Sequence, residues 1–367
     1  MDQNRLALLA LHFIPGIGDY LVRQLVTYSG SAEKVFQTPK GKLLRIPGVG
    51  EITADAIKTG KTFSAAEEEF RKAEKANVQL IFFNDKNYPS RFRQVNDAPS
   101  LIYTKGNIDF ENPKTVAIVG TRKATQYGRE CVEELVKDLI PHNPLIVSGL
   151  AYGIDIHAHK HAVKHNLSTI GVMGSGMDNI YPSSHKETAR QMMENGGLVT
   201  EHRFGTKPDA HNFPARNRIV AALSDAVIIV EAAIKGGALI TAEIANSYNK
   251  DVFAFPGNIG QSHSEGCNNL IKSNRAHLIT SIKDLEYITG WTLGQNPPKK
   301  EVISLENFEP LEQVVLKTLL ENNRQLMIDE LSWKSNVPIS QLASVLLTLE
   351  FKGAVASLPG KVYKAVV

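Results

Sequence analysis

The chain has 367 residues, of which 43% are hydrophobic, and its formal net charge is only +3. This length predicts two or three domains, and the charge, balanced at 18 basic and 18 acidic residues over 111–290, is not by itself typical of a nucleic-acid binder. The chain has two cysteines, no run of about 18 apolar residues and no basic leader before an apolar run. These features exclude a disulfide framework, a membrane partner and export, so we expect a cytoplasmic protein.

The first 62 residues contain one motif twice. The segment "IPGIGDYLVRQLV" at 14–26 returns as "IPGVGEITADAI" at 46–57. A G-x-G pair followed by apolar residues at helical spacing predicts a tight turn between two helices, with exposed amides at the start of the second helix. The pattern resembles the helix-hairpin-helix element, so we expect an N-terminal helical domain of helix-hairpin-helix or SAM-like type over 1–62. Either the turns contact the backbone of duplex DNA or they serve only packing or protein contact. The turn glycines are Gly16, Gly18, Gly48 and Gly50.

The next segment, 63–290, has the pattern of an α/β domain. A charged helical pattern over 63–77 and a buried strand over 78–83 lead into an alternation of short apolar strands and helical stretches over 114–289. Short, nearly continuous apolar strands between helices are typical of a parallel sheet covered on both faces. We predict a Rossmann-like, doubly wound, mostly parallel sheet that binds its ligand at the carboxyl ends of the strands. The predicted strands are 115–120, 145–149, 168–176, 197–201, 225–232, 251–257 and 276–280.

The C-terminal part begins with a linker and ends in a small domain. Residues 291–310 include a stretch with three prolines and no apolar period, which predicts a linker. Three helical patterns and a hairpin around Pro359-Gly360 then predict a winged-helix domain over 311–367. Its candidate recognition helix, 339–351, has almost no basic residue, which favours protein contact or regulation over the reading of DNA sequence.

Nearly every predicted strand of the α/β domain ends in residues that suit phosphate. Small residues let backbone N–H groups approach phosphate oxygens, Ser and Thr add donors, and Arg offers a planar fork. Because these loops converge at one end of a parallel sheet, the sequence predicts a long anion-binding rim. The rim residues are Gly120, Thr121, Arg122, Ser148, Gly149, Gly153, Gly174, Ser175, Gly176, Phe213, Arg216, Asn217, Arg218, Gly236, Gly237 and Thr241.

The loops do not match the known nucleotide-cofactor motifs. Arg122 stands where the dinucleotide fingerprint requires its second glycine, and no GxxxxGK[ST] loop occurs. We therefore expect no cofactor. The histidines at 157, 159, 161 and 165 lie in one helical stretch, but no HExxH or carboxylate signature accompanies them, so we expect no metal site and assign Asp155 and His159 a loop-orienting role.

Several ordered blocks together resemble the DNA-processing protein A family (DprA, also called Smf). They include "AIVGTR", "IVSGLAYGIDIHAH", "GVMGSGMDNIYP", "NFPARNRIVAALSDAVIIVEA" and "GGALITAEIA". The resemblance implies a non-enzymatic protein that binds single-stranded DNA without base selection, forms a homodimer and helps load the RecA recombinase in natural transformation. It also implies that Arg122 grips phosphate and that Phe213 contacts a base.

Two positions depart from the family pattern. Tyr152 replaces the arginine of "SGLARGID", and Ala210 stands where many relatives have lysine three residues before the phenylalanine, so the rim loses positive charge. Nearby lysines at 123, 207 and 235 are candidates to compensate, and Tyr152 is a candidate to stack on a base. The predicted DNA site therefore adds Lys123, Tyr152, Lys207 and Asn212 to the rim.

Two other functions stay open at this point. The blocks around "RNRIVAALSDAVIIVEA" also resemble, more weakly, the nucleoside-monophosphate phosphoribohydrolases called LOG, in which Arg216 would hold the substrate and Glu243 would assist departure of the base. The loop lacks the leading proline and the Gly-Thr of that family. The third interpretation is an interaction scaffold whose glycines only close tight turns.

Overall fold

The computed structural model describes residues 2–293, 308–322, 325–358 and 361–366. The chain divides into two compact units, 1–293 and 294–367. The first unit contains the N-terminal helices and the α/β sheet, and the second contains the C-terminal helices and a small sheet.

Six helices precede the sheet, and their turns repeat the sequence motif. Gly16 and Gly48 adopt φ angles of +82° and +87°, which L side chains disfavour, and Gly18 and Gly50 cap the helices that follow. The predicted N-terminal helical region is confirmed, although the helix that enters the second turn has only four residues. The helices are α1 (Gln3–His12), α2 (Asp19–Ser29), α3 (Ala32–Gln37), α4 (Lys40–Leu43), α5 (Glu51–Thr59) and α6 (Phe63–Lys75).

A nine-stranded sheet forms the centre of the first unit. Its strands are β1 (Gln79–Phe82), β2 (Leu101–Asn107), β3 (Thr115–Val119), β4 (Leu145–Ser148), β5 (Thr169–Val172), β6 (Gly196–Thr200), β7 (Ala226–Ile229), β8 (Asp251–Ala254) and β9 (His277–Leu278). Their spatial order is β1-β2-β6-β5-β4-β3-β7-β8-β9. The strands from β3 onward pair in parallel, and only β2 pairs antiparallel, with β1 and β6. The predicted Rossmann-like sheet is thus confirmed, and β2 is an addition that the sequence pattern did not predict.

Helices cover both faces of this sheet. Successive residues of β3 alternate between two hydrophobic clusters: Val116 and Ile118 pack in one, and Ala117 and Val119 in the other. The helices are α7 (Gln126–Leu139), α8 (Ile154–Lys164), α9 (Lys186–Met192), α10 (Asn212–Leu223), α11 (Gly237–Ser247), α12 (Glu265–Lys272) and α13 (Ile282–Thr289). The chain adds β4, β5 and β6 on one side of β3 and then β7, β8 and β9 on the other, so the strand order reverses between β3 and β7. Open α/β sheets bind ligands at such a reversal.

The second unit has the predicted winged-helix architecture. Its elements are α14 (Pro310–Glu321), β10 (Gln325–Met327), α15 (Ile328–Ser335), α16 (Ile339–Phe351), β11 (Val355–Leu358) and β12 (Val362–Ala365). The strands form an antiparallel sheet in the order β10-β12-β11, so the wing pairs with a third strand that the sequence analysis did not assign. The predicted hairpin turn at Pro359-Gly360 lies outside the described residues.

The ends of the predicted linker are ordered parts of the two units. Trp291 is buried in the first unit, with its ring 5.8 Å from that of His142, and Phe308 is buried in the core of the second. The rest of the predicted linker, 294–307, lies outside the described residues. Among the residues that the structure covers, no helix combines the length and apolar character needed to cross a bilayer.

Candidate functional site

An open cleft lies at the carboxyl ends of the strands, where the strand order reverses. Its volume is about 920 Å³. The loop after β3, the turn after β4, the loop after β7 and the start of α10 form its walls. The predicted residues that line it are Gly120, Thr121, Arg122, Gly149, Lys207, Phe213, Arg216, Asn217, Gly236, Gly237 and Thr241.

The positively charged guanidinium of Arg122 is exposed at this cleft. It lies 5.2 Å from the centre of the Phe213 ring. Among the described residues, no carboxylate forms an ion pair with it. Arg122 is exposed and Phe213 is half-buried, so a cation and an aromatic face meet at the cleft mouth, where both can reach a ligand.

The loop that carries Arg122 is held from below by Glu231, at the end of β7. The buried Glu231 carboxylate accepts hydrogen bonds from the Thr125 amide (2.9 Å) and hydroxyl (2.6 Å) at the N-cap of α7. The Thr121 amide donates to the Glu231 carbonyl at 2.8 Å. Gly153, with φ of +75°, packs so closely on Thr121 and Arg122 that any Cβ would collide with their backbone. These contacts fix the backbone from which Arg122 projects.

Two largely buried charged residues, Arg216 and Asp155, form part of the cleft floor. Arg216 donates to the Val172 carbonyl and lies beside Asp155, whose carboxylate accepts the Ala151 amide at 3.3 Å. Burial raises the pKa of Asp155 against the opposing pull of Arg216, and burial also lowers the pKa of Arg216. Gly149 lies on this pair, with no room for a Cβ. Because the Arg216 guanidinium interacts mainly with buried groups of the protein, its main role is to stabilise the cleft floor.

Two buried histidines support the turn after β4, and both contact backbone carbonyls of that turn. His159 contacts the Gly149 carbonyl at 2.5 Å through Nε2 and the Thr169 hydroxyl at 2.8 Å through Nδ1. Burial lowers the pKa of His159 to about 4, so it is neutral near pH 7. His185 contacts the Leu150 carbonyl at 2.9 Å. In the described part of the chain, no group of three or more His, Cys, Asp or Glu residues is arranged to hold a metal ion.

A row of aromatic rings continues from Phe213. The Tyr181 ring lies 5.9 Å from that of Phe213, and the half-exposed Tyr152 ring meets His185 edge-on at 4.9 Å. Tyr181 lines the cleft but was not among the predicted site residues, although it lies in the quoted "GSGMDNIYP" block. Gly174 allows this arrangement because a Cβ at this position would lie only 3.1 Å from the Phe213 ring.

The opposite wall presents backbone amides and small residues. Gly236 caps α11 without a side chain, so the first amides of this helix face the cleft with Gly237 and Ala238. The Asn217 side chain donates to the Gly237 carbonyl at 3.4 Å and so links α10 to α11. Lys123, Lys207 and Lys235 are exposed, and of these three only Lys207 lines the cleft.

Three predicted side chains do not face the cleft. The Ser148 and Ser175 hydroxyls are buried and donate to the carbonyls of Ile118 and Asn179, both at 2.6 Å. Arg218 instead pairs with Glu201 and, at 3.3 Å, with Asp19 of the N-terminal helices. The two serines shape loops and Arg218 joins two parts of the first unit, because each finds its partner inside the protein.

The geometry does not favour the phosphoribohydrolase alternative. Glu243, the proposed acid, is largely exposed, pairs with Arg275 at 3.3 Å and is not among the cleft-lining residues. Arg216, the proposed substrate-binding residue, forms part of the cleft floor, where it is largely buried and donates to the Val172 carbonyl. The residue assigned as the acid in this alternative is therefore not placed to act on a ligand in the cleft.

The glycine turns of the N-terminal helices are exposed, but their surroundings are less cationic than the sequence indicated. Each turn is followed at once by an acidic residue, Asp19 or Glu51, which adds negative charge at the start of the helix and disfavours a phosphate there. Lys40 is held by Glu51 and Asp55, both at 2.6 Å, and Lys58 donates to two backbone carbonyls. We therefore leave these turns out of the proposed interface.

Fold and site together define a Rossmann-like protein with an open, cationic cleft at the strand-order reversal and a separate winged-helix unit. Comparison with known proteins specifies its family. The family model for DNA recombination-mediator protein A matches residues 79–288, and the model for the DprA winged helix domain matches residues 298–361. The chain belongs to the DprA/Smf family.

Similar proteins cover most of the chain. The Smf protein of Synechocystis sp. is 30% identical over 97% of each chain. The DNA processing protein DprA of Streptococcus pneumoniae is 40% identical over 55% of this chain and 71% of its own length, and its X-ray structure superposes with a TM-score of 0.62 over 78% of this chain and 98% of that one, at 30% identity. A Helicobacter pylori structure that addresses the single-stranded DNA binding mode of DNA processing protein A has a TM-score of 0.53 and 31% identity over 59% of this chain and 97% of that one.

Proposed function

We propose that the cleft binds single-stranded DNA through its phosphates, without base selection. The observation that carries the proposal is the exposed, ion-pair-free Arg122 guanidinium lying against Phe213 at the mouth of an open cleft. An arginine fork suits phosphate oxygens, and an aromatic face stacks on any base. Lys207 and the first amides of α11 extend the anion-binding surface along the cleft.

The proposed role is binding and not catalysis. A rim whose cationic groups, Arg122 and Lys207, come from separate loops suits a continuous sugar-phosphate chain. The Helicobacter pylori relative, whose structure addresses single-stranded DNA binding, supports this assignment by family. Incubation with AMP or CMP should therefore release no free base.

The proposed binding is tested by salt titration with oligo-dT. The affinity should fall as salt rises, with a logarithmic slope of about −0.7 for each phosphate contact, because binding releases counterions. Arg122→Ala should weaken binding about tenfold or more, as expected for a lost charge-assisted hydrogen bond. Arg190→Ala, a matched change of an exposed arginine on α9, should have little effect. Wild-type affinity of Arg122→Ala would refute the assigned site.

We further propose that the protein forms a homodimer in the cytoplasm and helps load RecA onto single strands during natural transformation. Self-association is favoured by the exposed sheet edge at β9, where Leu278 is 46% exposed, and by Tyr287 of α13, which is 87% exposed. Light scattering of the full chain tests the dimer. Loading is tested by following RecA filament growth on oligo-dT covered with a single-strand-binding protein, with and without this protein.

A further inference from the structure

The segment 201–211, between β6 and α10, is a wall shared by two cavities. Its second half lines the DNA cleft through Lys207, Pro208 and Ala210 and leads directly to Phe213. Its first half lines a separate cavity of about 470 Å³, whose other wall is the first glycine turn of the N-terminal helices. A displacement of the first half of this segment would therefore move Lys207, which follows it directly in the chain.

The N-terminal helices hold the first half of this segment. Glu69 of α6 is buried, and its carboxylate accepts a hydrogen bond from the Phe204 amide at 2.7 Å. The Phe204 ring packs edge-on against Tyr103 at 6.0 Å, and the Arg203 guanidinium lies 5.5 Å from the centre of the Phe13 ring. A buried carboxylate is costly unless it is well bonded, and a charged acceptor for a backbone N–H is among the stronger hydrogen bonds.

The loop after β5 holds the same segment from the other side. Both carboxylate oxygens of Asp178 accept the Gly205 amide at 3.0 Å, and the Thr206 carbonyl accepts the Gly176 amide at 2.9 Å. Residues 203–206 are thus fixed between the N-terminal helices and the sheet. Lys207 is the next residue of the chain, and its own side chain is exposed.

We propose that Glu69 is a positioning residue for the DNA cleft: by holding the Phe204 amide, it sets where Lys207 meets a phosphate. The inference rests on the proposed binding of single-stranded DNA. It gives the N-terminal helical region a part in binding that does not require its glycine turns to touch DNA.

The test is the effect of Glu69→Ala on oligo-dT binding by the full chain. Removing a negative charge normally strengthens DNA binding through the overall field, so this inference predicts a change of the opposite sign. We expect affinity to fall about tenfold, because a hydrogen bond to a charged group is lost and Lys207 is displaced. The salt slope should shrink by about 0.7, the amount expected for one phosphate contact on a single strand.

Matched variants separate positioning from a general loss of structure. Glu67→Ala removes the same charge from the exposed face of α6 and should bind at least as tightly as wild type. Glu69→Gln keeps an oxygen acceptor for Phe204 and should bind nearly as wild type. If Glu69→Ala does not fold, Glu69→Leu fills the volume without an acceptor and gives the same comparison. In a Lys207→Ala background, the further loss from Glu69→Ala should be less than about twofold, because the two changes remove one contact.

Two results would overturn the inference. One is wild-type or tighter binding by folded Glu69→Ala or Glu69→Leu, and the other is multiplication of the two losses in the double variant. The proposed function has its own control: if Arg122→Ala and Lys207→Ala both bind normally, the DNA site itself is wrong. If those two weaken binding while the Glu69 variants do not, only the positioning role fails.

Discussion

The guanidinium of Arg122 lies 5.2 Å from the ring centre of Phe213, although the two residues belong to different elements. Arg122 follows β3, and Phe213 stands in the first turn of α10. A cation over an exposed aromatic face contributes about 0.5–1 kcal/mol, enough to bias the arginine toward one position without using its hydrogen-bond donors. The donors therefore remain available to a phosphate, and the rest of the ring to a base.

Phe213→Leu should separate stacking from charge. We expect oligo-dT affinity to fall by about 1–3 kcal/mol, the cost of one lost base–aromatic stack. Because no charge is removed, the salt slope should stay at the wild-type value. Fluorescence anisotropy at several salt concentrations measures both quantities.

The control for this variant is Phe351→Leu, a change at an aromatic of α16 that is 85% exposed. It should leave affinity unchanged. If Phe213→Leu lowers the salt slope as strongly as Arg122→Ala, the ring acts by holding the arginine and not by stacking on a base.

Gly149→Ala should destabilise the fold. A Cβ at this position would collide with the Arg216 guanidinium and the Asp155 carboxylate, which are both buried. Overpacking of this kind costs about 1–3 kcal/mol in the free energy of unfolding. Urea denaturation measures the loss, and Gly237→Ala, whose Cβ would meet nothing within 4 Å, is the matched control. Equal stability of the two variants would contradict the tight packing described for the cleft floor.

The pH dependence of stability should report the buried state of His159. Its pKa is about 4 in the folded protein and 6.5 without burial, so the unfolded chain binds the proton first as pH falls. The contribution is fully present above pH 6.5 and is lost on acidification from pH 6.5 to 4, by up to about 1.4 kcal/mol per pH unit.

Comparison of the wild-type protein with His159→Gln isolates the contribution of His159 to the pH dependence of stability. The pKa of His12 is also lowered to about 4 by burial, and burial raises that of Glu201 to about 6, so the wild-type curve alone combines several groups. His159→Gln should flatten the stability curve between pH 6 and 4.5 by about 1 kcal/mol per unit, since it removes one titrating group. Parallel curves for the two proteins would show that His159 does not titrate as its burial implies.

The fold could be predicted from the sequence because the patterns that indicate strands, helices and turns are local. Apolar runs such as "TVAIVG" and the paired "IPGxG" turns depend only on neighbouring residues, and the structure confirms strands and helices there. Strand β2 was missed because its second half, Thr104 to Asn107, is polar or small and gives no apolar period. The burial of Trp291 and Phe308, at the two ends of the predicted linker, was not predicted because it depends on partners distant in the chain.

The site was harder to predict than the fold for the same reason. Residue type selected Arg122, Phe213 and Arg218 alike as candidates, but it could not distinguish Arg218, which pairs with Glu201 and Asp19, from an arginine that faces solvent. Similarly, a serine at a strand end suits phosphate, yet Ser148 donates to the Ile118 carbonyl. Which partner satisfies a polar group is a property of tertiary structure.

Arg218→Ala should therefore lower stability without changing the salt dependence of DNA binding, whereas Arg122→Ala should do the reverse. Loss of Arg218 leaves the half-buried Glu201 without its cation and separates α10 from Asp19, so the free energy of unfolding should fall by about 1–3 kcal/mol. The salt slope for oligo-dT should not change, because the guanidinium does not line the cleft. Arg122→Ala should weaken binding and lower that slope at nearly wild-type stability. Adding Glu201→Gln to Arg218→Ala should recover part of the lost stability, since it removes the unpaired carboxylate. Urea denaturation measures stability and salt-titrated anisotropy measures binding for the wild type, Arg122→Ala, Arg218→Ala and the double variant. A normal unfolding curve with a reduced salt slope for Arg218→Ala would instead assign this arginine to the DNA surface.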